Sequence, residues 1–172
     1  MTAPERYRAV WGEDGMVPFP GGFWAEKGVP AEALPEGDAI PAAVAAVYTT
    51  RLEGDIELYE TIRLAAEDAD LDISFLVVGA LQDEADLLYV MEPETGGLLQ
   101  FDLAAHDIRG VNSTFRLFVE SLYRFARFVE ADEGEEGRPE RAAELRQSLE
   151  TLDPVAFQED AWWPLVFARL AP

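Results

Sequence analysis

The 172-residue sequence contains no cysteine, one histidine and one lysine. The lack of cysteine excludes a disulfide framework, thiolate metal ligands and a cysteine nucleophile. With His106 as the sole imidazole, zinc sites built from several histidines are excluded as well. No apolar run approaches the roughly 18 residues that span a membrane, and the first residues contain no apolar signal core. We therefore predict a cytoplasmic protein that uses no metal or other cofactor.

Positive charge is also scarce. The chain has 34 acidic and 13 basic residues, which gives a formal net charge of −21. Such a surface repels a phosphate backbone, so nucleic-acid binding is not expected. Hydrophobic residues still make up 49% of the chain, enough to form a core and to exclude global disorder. The preference for arginine over lysine indicates a GC-rich genome, such as an actinobacterial one, and acidity can follow from that alone.

The acidic residues are distributed unevenly. No lysine or arginine occurs between Arg63 and Arg109, whereas eleven acidic residues do. These acids are Glu67, Asp68, Asp70, Asp72, Asp83, Glu84, Asp86, Glu92, Glu94, Asp102 and Asp107. From residue 109 to 128 the sign reverses, with four arginines against Glu120. We expect an acidic sheet beside a basic helix.

Proline and glycine divide the first third of the chain into short elements. One or two helical turns are predicted at residues 23–27, ended by Gly28 in the left-handed conformation. Pro41 is predicted to open a second helix, because apolar residues recur at helical spacing as far as Tyr48. Residues 56–66 fit both a strand and a helix, with a slight preference for a strand.

The middle of the chain predicts an antiparallel meander. Residues 71–79, 86–91 and 97–103 are short β-branched or aromatic runs separated by turn sequences. Both faces of the first two runs are apolar, so the centre of the sheet should be covered on both sides. The third run alternates, with Gln100 and Asp102 outward, and should lie nearer an edge. Together with the helices that follow, this predicts an α+β fold in one domain, residues 1–172.

A long helix is predicted from residue 115 to 130, with Asn112, Ser113 or Thr114 as the N-cap. Its expected core stripe is Phe115, Phe118, Val119, Leu122, Ala126 and Val129. Pro139 opens another helix, which ends near Leu152, and Asp153 begins a short turn.

The last predicted helix carries two adjacent tryptophans. Its expected buried stripe is Trp163, Val166, Phe167 and Leu170. Neighbouring residues on a helix point about 100° apart, so Trp162 and Trp163 are not both expected to face the core.

Catalytic and metal sites are not predicted. His106 has Asp102, Asp107 and Ser113 nearby, but Ser113 lies at a helix start, where backbone donors engage its oxygen. A surface histidine is the preferred interpretation. The run of Asp68, Asp70 and Asp72 lacks the glycine and the closing glutamate of a calcium-binding loop.

The order of these motifs resembles the SUKH superfamily, in particular its fourth immunity subfamily. That family has a strand ending in glycine, an acidic-Pro-x-Thr-Gly turn and a Val-Asn-Ser-Ser/Thr start to a phenylalanine-containing helix. The matching residues are Gly79, Glu92, Pro93, Thr95, Gly96, Val111, Asn112, Ser113, Thr114, Phe115, Phe118, Asp153, Pro154, Ala156, Phe157, Trp162 and Trp163.

The resemblance implies a central sheet with flanking helices, no catalytic residues and a bacterial immunity function. Such proteins bind and neutralise a polymorphic toxin in the cytosol, often a nuclease or a nucleic-acid deaminase. Asn112 and the turn are then capping and turn residues. An intracellular adaptor or scaffold is the alternative, since SUKH domains also occur in regulatory proteins.

Strand direction predicts where a basic toxin would bind. If residues 73–79 and 87–91 are antiparallel, the turn at 92–97 returns to the end at which residues 67–72 enter. Six acids then gather there with no nearby base in the sequence to offset them. This six-acid group is Glu67, Asp68, Asp70, Asp72, Glu92 and Glu94. The acidic loop at 130–136 is a second candidate.

Overall fold

The computed structural model describes residues 1–66 and 71–170. These residues form an α+β fold, as predicted, with two antiparallel sheets. The smaller sheet pairs β1 (Met16–Pro18) with β2 (Ala39–Pro41). The larger sheet contains β3 (Ala43–Val44), β4 (Tyr48–Thr49), β5 (Thr61–Ala66), β6 (Leu71–Leu81), β7 (Glu84–Met91), β8 (Leu98–Asp102) and β9 (Asp107–Asn112). The helices are α1 (Ala3–Trp11), α2 (Gly21–Glu26), α3 (Phe115–Glu130), α4 (Arg138–Leu152) and α5 (Trp162–Leu170), with short 3₁₀ helices at Ala31–Ala33 and Pro154–Phe157.

The larger sheet has the strand order β3-β4-β6-β7-β8-β9, and β5 pairs with the first half of β6. The predicted meander is therefore confirmed as β6, β7 and β8, and the ambiguous 56–66 segment ends in a strand. The register shifts between Val77 and Gly79. A Cβ at Gly79 would overlap the Tyr48 ring, so a side chain here would displace β4.

Both faces of the sheet are covered at its centre, as predicted. The face toward the helices contributes Leu76, Val78, Tyr89, Met91 and Leu98 to the main core. The opposite face contributes Phe75, Val77, Ala80, Leu88, Val90 and Phe101 to a second cluster. Leu52 and Ile56, from the segment that leads into β5, pack against this second cluster.

The predicted helix from Pro41 to Tyr48 is wrong. These residues form the end of β2 and the short strands β3 and β4. Ile40 pairs with Val17 of β1, and the Tyr48 hydroxyl donates to the Val78 carbonyl at 2.6 Å. The apolar residues reach the core from short strands, so their helical spacing is coincidental.

Helix α1 is not among the predicted elements, although its start has a sequence signature. Thr2 and Glu5 form a capping box, with Pro4 in the first turn. The helix is held by Glu120 of α3, which accepts hydrogen bonds from Arg6 and from the Tyr7 hydroxyl. Burial is the main reason that the pKa of the Tyr7 hydroxyl is raised.

Strand β9 is also missing from the predicted elements. Because β9 pairs with β8 from Leu98 to Asp102, β8 is the last strand but one, nearer an edge than β6 and β7, as predicted. Gln100 is buried on the face that α5 covers, although the alternation predicts that it faces outward.

Helix α3 is confirmed, but its buried stripe turns differently near the end. Phe125 is buried, whereas Val129 is exposed and Ala126 is half-buried. The Phe125 ring lies 6.1 Å from that of Trp163, so the position of α5 decides which residues of α3 are covered. Thr114 is the N-cap, and its hydroxyl accepts from the Leu117 N–H at 3.1 Å.

The two adjacent tryptophans are both buried, so the prediction that one lies near the surface is wrong. Trp162 is 4% exposed and Trp163 is 0% exposed. Helix α5 begins between two surfaces: Trp162 packs against Tyr89 of the sheet, and Trp163 packs against Phe125 of α3. Side chains about 100° apart therefore both reach apolar partners.

Asn112 is the centre of a buried polar network rather than a helix cap. Its side-chain oxygen accepts from the Trp163 indole at 2.9 Å, and its amide donates to Asp153 at 2.9 Å. Asp153 also accepts from the Ser113 N–H at 2.8 Å. The network thus joins β9, the start of α3, the end of α4 and α5.

We predict that Asn112→Ala lowers the free energy of unfolding by roughly 2 to 4 kcal/mol, since it leaves the Trp163 indole and the Asp153 carboxylate short of partners. Urea denaturation measures this cost. Gln147→Ala, on the exposed side of α4, is the control and should change stability by less than about 0.5 kcal/mol. Equal stability of the two variants would show that the network is dispensable.

Candidate functional site

Three residues of the predicted six-acid group lie in the described part of the chain. They are Asp72, Glu92 and Glu94, whereas Glu67, Asp68 and Asp70 lie outside the described residues. Met91 pairs with Leu98 and with Leu76 in the middle of β6, so the turn at 92–97 leaves β7 on the side toward the start of β6. The predicted strand directions are therefore confirmed. Glu94 is exposed, and Glu92 is half-buried.

Asp72 is not an uncompensated charge. Arg63 of β5 donates to both of its carboxylate oxygens at 2.6 Å. These hydrogen bonds are the main reason that the pKa of Asp72 is lowered. The expectation that no base offsets these acids is therefore wrong for Asp72, because the pairing of β5 with β6 brings Arg63 beside a residue nine positions later.

The turn at 92–97 is held by its own side chains, as the resemblance implies. The Thr95 hydroxyl donates to Glu92 at 2.6 Å and accepts from the Gly97 N–H at 3.1 Å. Gly96 has φ of +73°, and a Cβ there would lie 2.5 Å from the Ala33 Cβ. Glu92 therefore has a structural role, while Glu94 is available to a partner.

The second predicted surface, the 130–136 loop, contains one tightly held acid. Asp132 accepts from Arg138 at 2.7 Å and from Arg141 at 2.7 Å. These hydrogen bonds lower its pKa to about 2. Glu133, Glu135 and Glu136 are exposed, so they remain candidates for contact with a partner.

His106 lies in an exposed turn with φ of +53°, as the surface interpretation predicts. Asp102 accepts from the backbone N–H groups of Ala104 and Ala105. Ser113 donates its N–H to Asp153. Within residues 1–66 and 71–170, no hydrogen bond joins the imidazole to Asp102 or to Ser113, so this geometry shows no catalytic triad.

The described residues, 1–66 and 71–170, contain neither a cluster suited to a metal ion nor a helix that could span a membrane. Across these ranges, no group of three His, Cys, Asp or Glu side chains is placed to hold a metal ion. Of the run Asp68, Asp70 and Asp72, only the last falls within them. None of the described helices has the length and hydropathy needed to cross a bilayer.

A half-open cavity of about 350 Å³ lies between α5 and the sheet. We call it the α5 cavity. Its walls come from residues 46–47, the facing ends of β6 and β7, Gln100 of β8, Phe125 of α3 and the outer face of α5. Most of the lining residues are apolar, and Arg169 is the charged residue of the lining. Leu165 is 44% exposed.

Gln100 is the buried polar side chain of the α5 cavity. It is 8% exposed, and its amide nitrogen has no hydrogen-bond partner among the described residues. Burial raises the pKa of the adjacent Tyr89 hydroxyl, and the nearby Gln100 side chain partly offsets this increase. The hydroxyl itself donates to the Val47 carbonyl at 2.6 Å. Sequence reasoning missed this site because Gln100 resembles an outward residue of an alternating strand, and helix α5 covers it from 60 residues away.

Comparison with family models decides the classification. A model described as SUKH-4 immunity protein matches residues 9–169. The chain belongs to the SUKH-4 immunity protein family. This membership supports a toxin-immunity role, in agreement with the resemblance seen in the sequence. Comparisons with curated proteins and with solved structures found no match.

The motif residues that match the SUKH-4 pattern have structural roles here. Gly79 leaves space for the Tyr48 ring, and Gly96 allows the 92–97 turn to pack on Ala33. Asn112 holds α5 through Trp163. Because Gly79, Gly96 and Asn112 are engaged in the fold, they are not available for partner recognition in this SUKH-4 protein.

Gln100→Leu is predicted to raise the free energy of unfolding by about 1 kcal/mol, because it replaces an unpartnered buried amide with an apolar group of similar size. The change in melting temperature measures this gain. Gln158→Leu, at an exposed position, is the control and should not stabilise the protein. A destabilised Gln100→Leu variant would mean that the amide has a partner in solution.

The Asp132 carboxyl is predicted to titrate with a pKa of about 2. Its folded value lies below the unfolded value of about 3.9. The ion pairs therefore stabilise the fold above that pH, and this contribution is lost as the pH falls toward 2. Carbon-13 NMR of the carboxyl group measures the value. Replacing Arg138 and Arg141 with Gln should raise it toward 3.9, whereas Arg146→Gln should leave it unchanged.

Proposed function

We propose that this SUKH-4 protein binds and neutralises a cognate toxin whose surface is basic, of the class that cleaves or deaminates nucleic acids. Family membership supports the immunity role. The net charge of −21 supports a basic partner, since enzymes that handle nucleic acid need a positive groove. An acidic binder placed over that groove would also exclude the substrate.

Ion pairing within the chain strengthens this proposal. Among the described residues, eight arginines form ion pairs, and they engage seven acidic side chains. Most of the 34 acids are therefore not neutralised by the ion pairs of the described residues. An excess of unpaired charge of one sign accelerates encounter with an oppositely charged partner.

We place the strongest part of this attraction at the six-acid end of the larger sheet. Glu94 is exposed on the 92–97 turn, at the end of the sheet where β6 begins. Asp72 adds less, because Arg63 neutralises it. Charges of this kind act over roughly a Debye length, about 8 Å at physiological salt, so they can steer a toxin without touching it.

Charge reversal tests this placement. The variant Asp68→Lys, Asp70→Lys, Glu94→Lys leaves the structural residue Glu92 intact. We predict an association rate with the cognate toxin that is lower by on the order of tenfold at low salt, with a shallower dependence on salt. Stopped-flow or surface-plasmon kinetics over a range of salt concentrations measures both quantities.

The matched control is Glu133→Lys, Glu135→Lys, Glu136→Lys, which changes the net charge by the same amount. A loss confined to this control would move the steering surface to the 130–136 loop. Equal losses of association rate in the two variants would show that the overall negative charge, rather than a local patch, attracts the toxin. A wild-type protein that neither binds the toxin nor protects cells that produce it would contradict the immunity function and favour the adaptor role.

A further inference from the structure

The turn between β6 and β7 lies beside two depressions, at the end of the larger sheet opposite the 92–97 turn. One is the α5 cavity. The other is a groove of about 620 Å³ that runs beside β3, β4 and the same turn. Leu81, the last residue of β6, lines both of them. An apolar hollow and a polar groove therefore share a wall residue at this end.

The groove is predominantly acidic. Glu53, Asp83 and Glu84 line it, with Arg51 as the opposing charge. None of these four side chains forms an ion pair within the part of the chain that the structure describes. Asp86 is a further exposed acid in the strand that follows the turn. The groove is complementary to a basic segment.

The α5 cavity is preformed, since its walls are fixed by contacts on each side. The Ala46 N–H donates to the Gln82 side chain at 3.3 Å, which ties residues 46–47 to the β6–β7 turn. On the facing wall, the Trp162 ring packs edge-on against Tyr89 at 5.4 Å. A hollow of this size, lined by apolar groups around one buried amide, has the composition of a ligand pocket.

We propose that the toxin inserts a large apolar side chain into the α5 cavity and lays a basic segment along the adjoining acidic groove. This inference rests on the proposed immunity function and names its contact surface. A carbonyl oxygen of the inserted segment accepts from the Gln100 amide. Rotation by 180° about the last torsion of Gln100 exchanges its oxygen and nitrogen, so the donor can face the cavity.

The two ends of the sheet then have different kinetic roles. The six-acid end attracts the toxin and sets the association rate, as unpaired surface charge does. The α5 cavity buries an anchor and sets the dissociation rate, as a central apolar contact does. The separation is measurable because a variant of an apolar residue of the α5 cavity should change the dissociation rate and leave the association rate unchanged.

Leu165→Ala removes the exposed apolar rim of the cavity. With a toxin domain that binds the wild-type chain as the probe, we expect dissociation about tenfold faster and an unchanged association rate. Ile108→Ala is the matched control, because Ile108 is 41% exposed against 44% for Leu165 and lies on β9, away from both depressions. It should change neither rate.

Gln100→Leu supplies a readout that a purely structural role would not give. The free variant should melt at a higher temperature, as predicted above, and yet dissociate from the toxin about fivefold faster. Stability and residence time then move in opposite directions, so loss of fold cannot account for the weaker complex.

The outcomes separate the two proposals. Toxin binding with unchanged dissociation in Leu165→Ala and Gln100→Leu overturns the anchor and leaves the immunity function intact. Equal effects of Leu165→Ala and Ile108→Ala overturn it too. Absence of toxin binding by the wild-type protein overturns the function and, with it, the anchor. Selective acceleration of dissociation in the two cavity variants supports the proposal.

Discussion

The buried hydrogen bonds of Asn112 are the interaction on which the rest of this structure depends. They join the last strand to α3, α4 and α5, and they do so from within the core, where the rest of the contact is apolar packing. Apolar packing is non-directional, whereas a buried amide with two specific partners accepts few arrangements. The network therefore fixes where α5 begins. The position of α5 in turn decides that both tryptophans are buried, that Phe125 faces inward and that a cavity remains above Gln100.

The positive charge of the helices is largely balanced by acidic residues within the chain. Arginines of α1, α3 and α4 are engaged by acids within the chain, as in the contacts of Glu120 with Arg6 and Arg124. Asp132 holds two further arginines, Arg138 and Arg141. The expected contrast between a basic helix and an acidic sheet is thus largely cancelled on the helix side. What remains at the surface is an excess of negative charge, which destabilises the compact state slightly and favours a basic partner.

The sequence predicts correctly those elements that depend on neighbouring residues. It predicts wrongly, or not at all, the features that depend on contacts with distant segments. The meander and α3 follow from alternation, turn residues and a cap, all within a few positions. The predicted helix at 41–48 is wrong because the pairing of these residues with β1 and β6 outweighs the helical spacing of their apolar side chains. The Arg63–Asp72 pair, the burial of Trp162 and the polar lining of the α5 cavity each depend on a partner brought close by the fold. The motif residues Gly79, Gly96 and Asn112 serve the fold, and among the residues that line the α5 cavity the pattern contains only Trp162, so it did not reveal the cavity.

Gln100 connects these points to function. A buried amide without a partner is costly in the free protein, and an apolar residue of the same shape would avoid that cost. Helix α5 has an apolar start that packs fully and a later face, around Leu165, that does not. In the proposed complex, one inserted segment would cover that face and satisfy the amide together. Only the unbound state then bears the cost of the unpartnered amide, so this cost favours the bound state. A rigid, preformed hollow also loses little conformational freedom on binding, so more of the contact energy contributes to affinity.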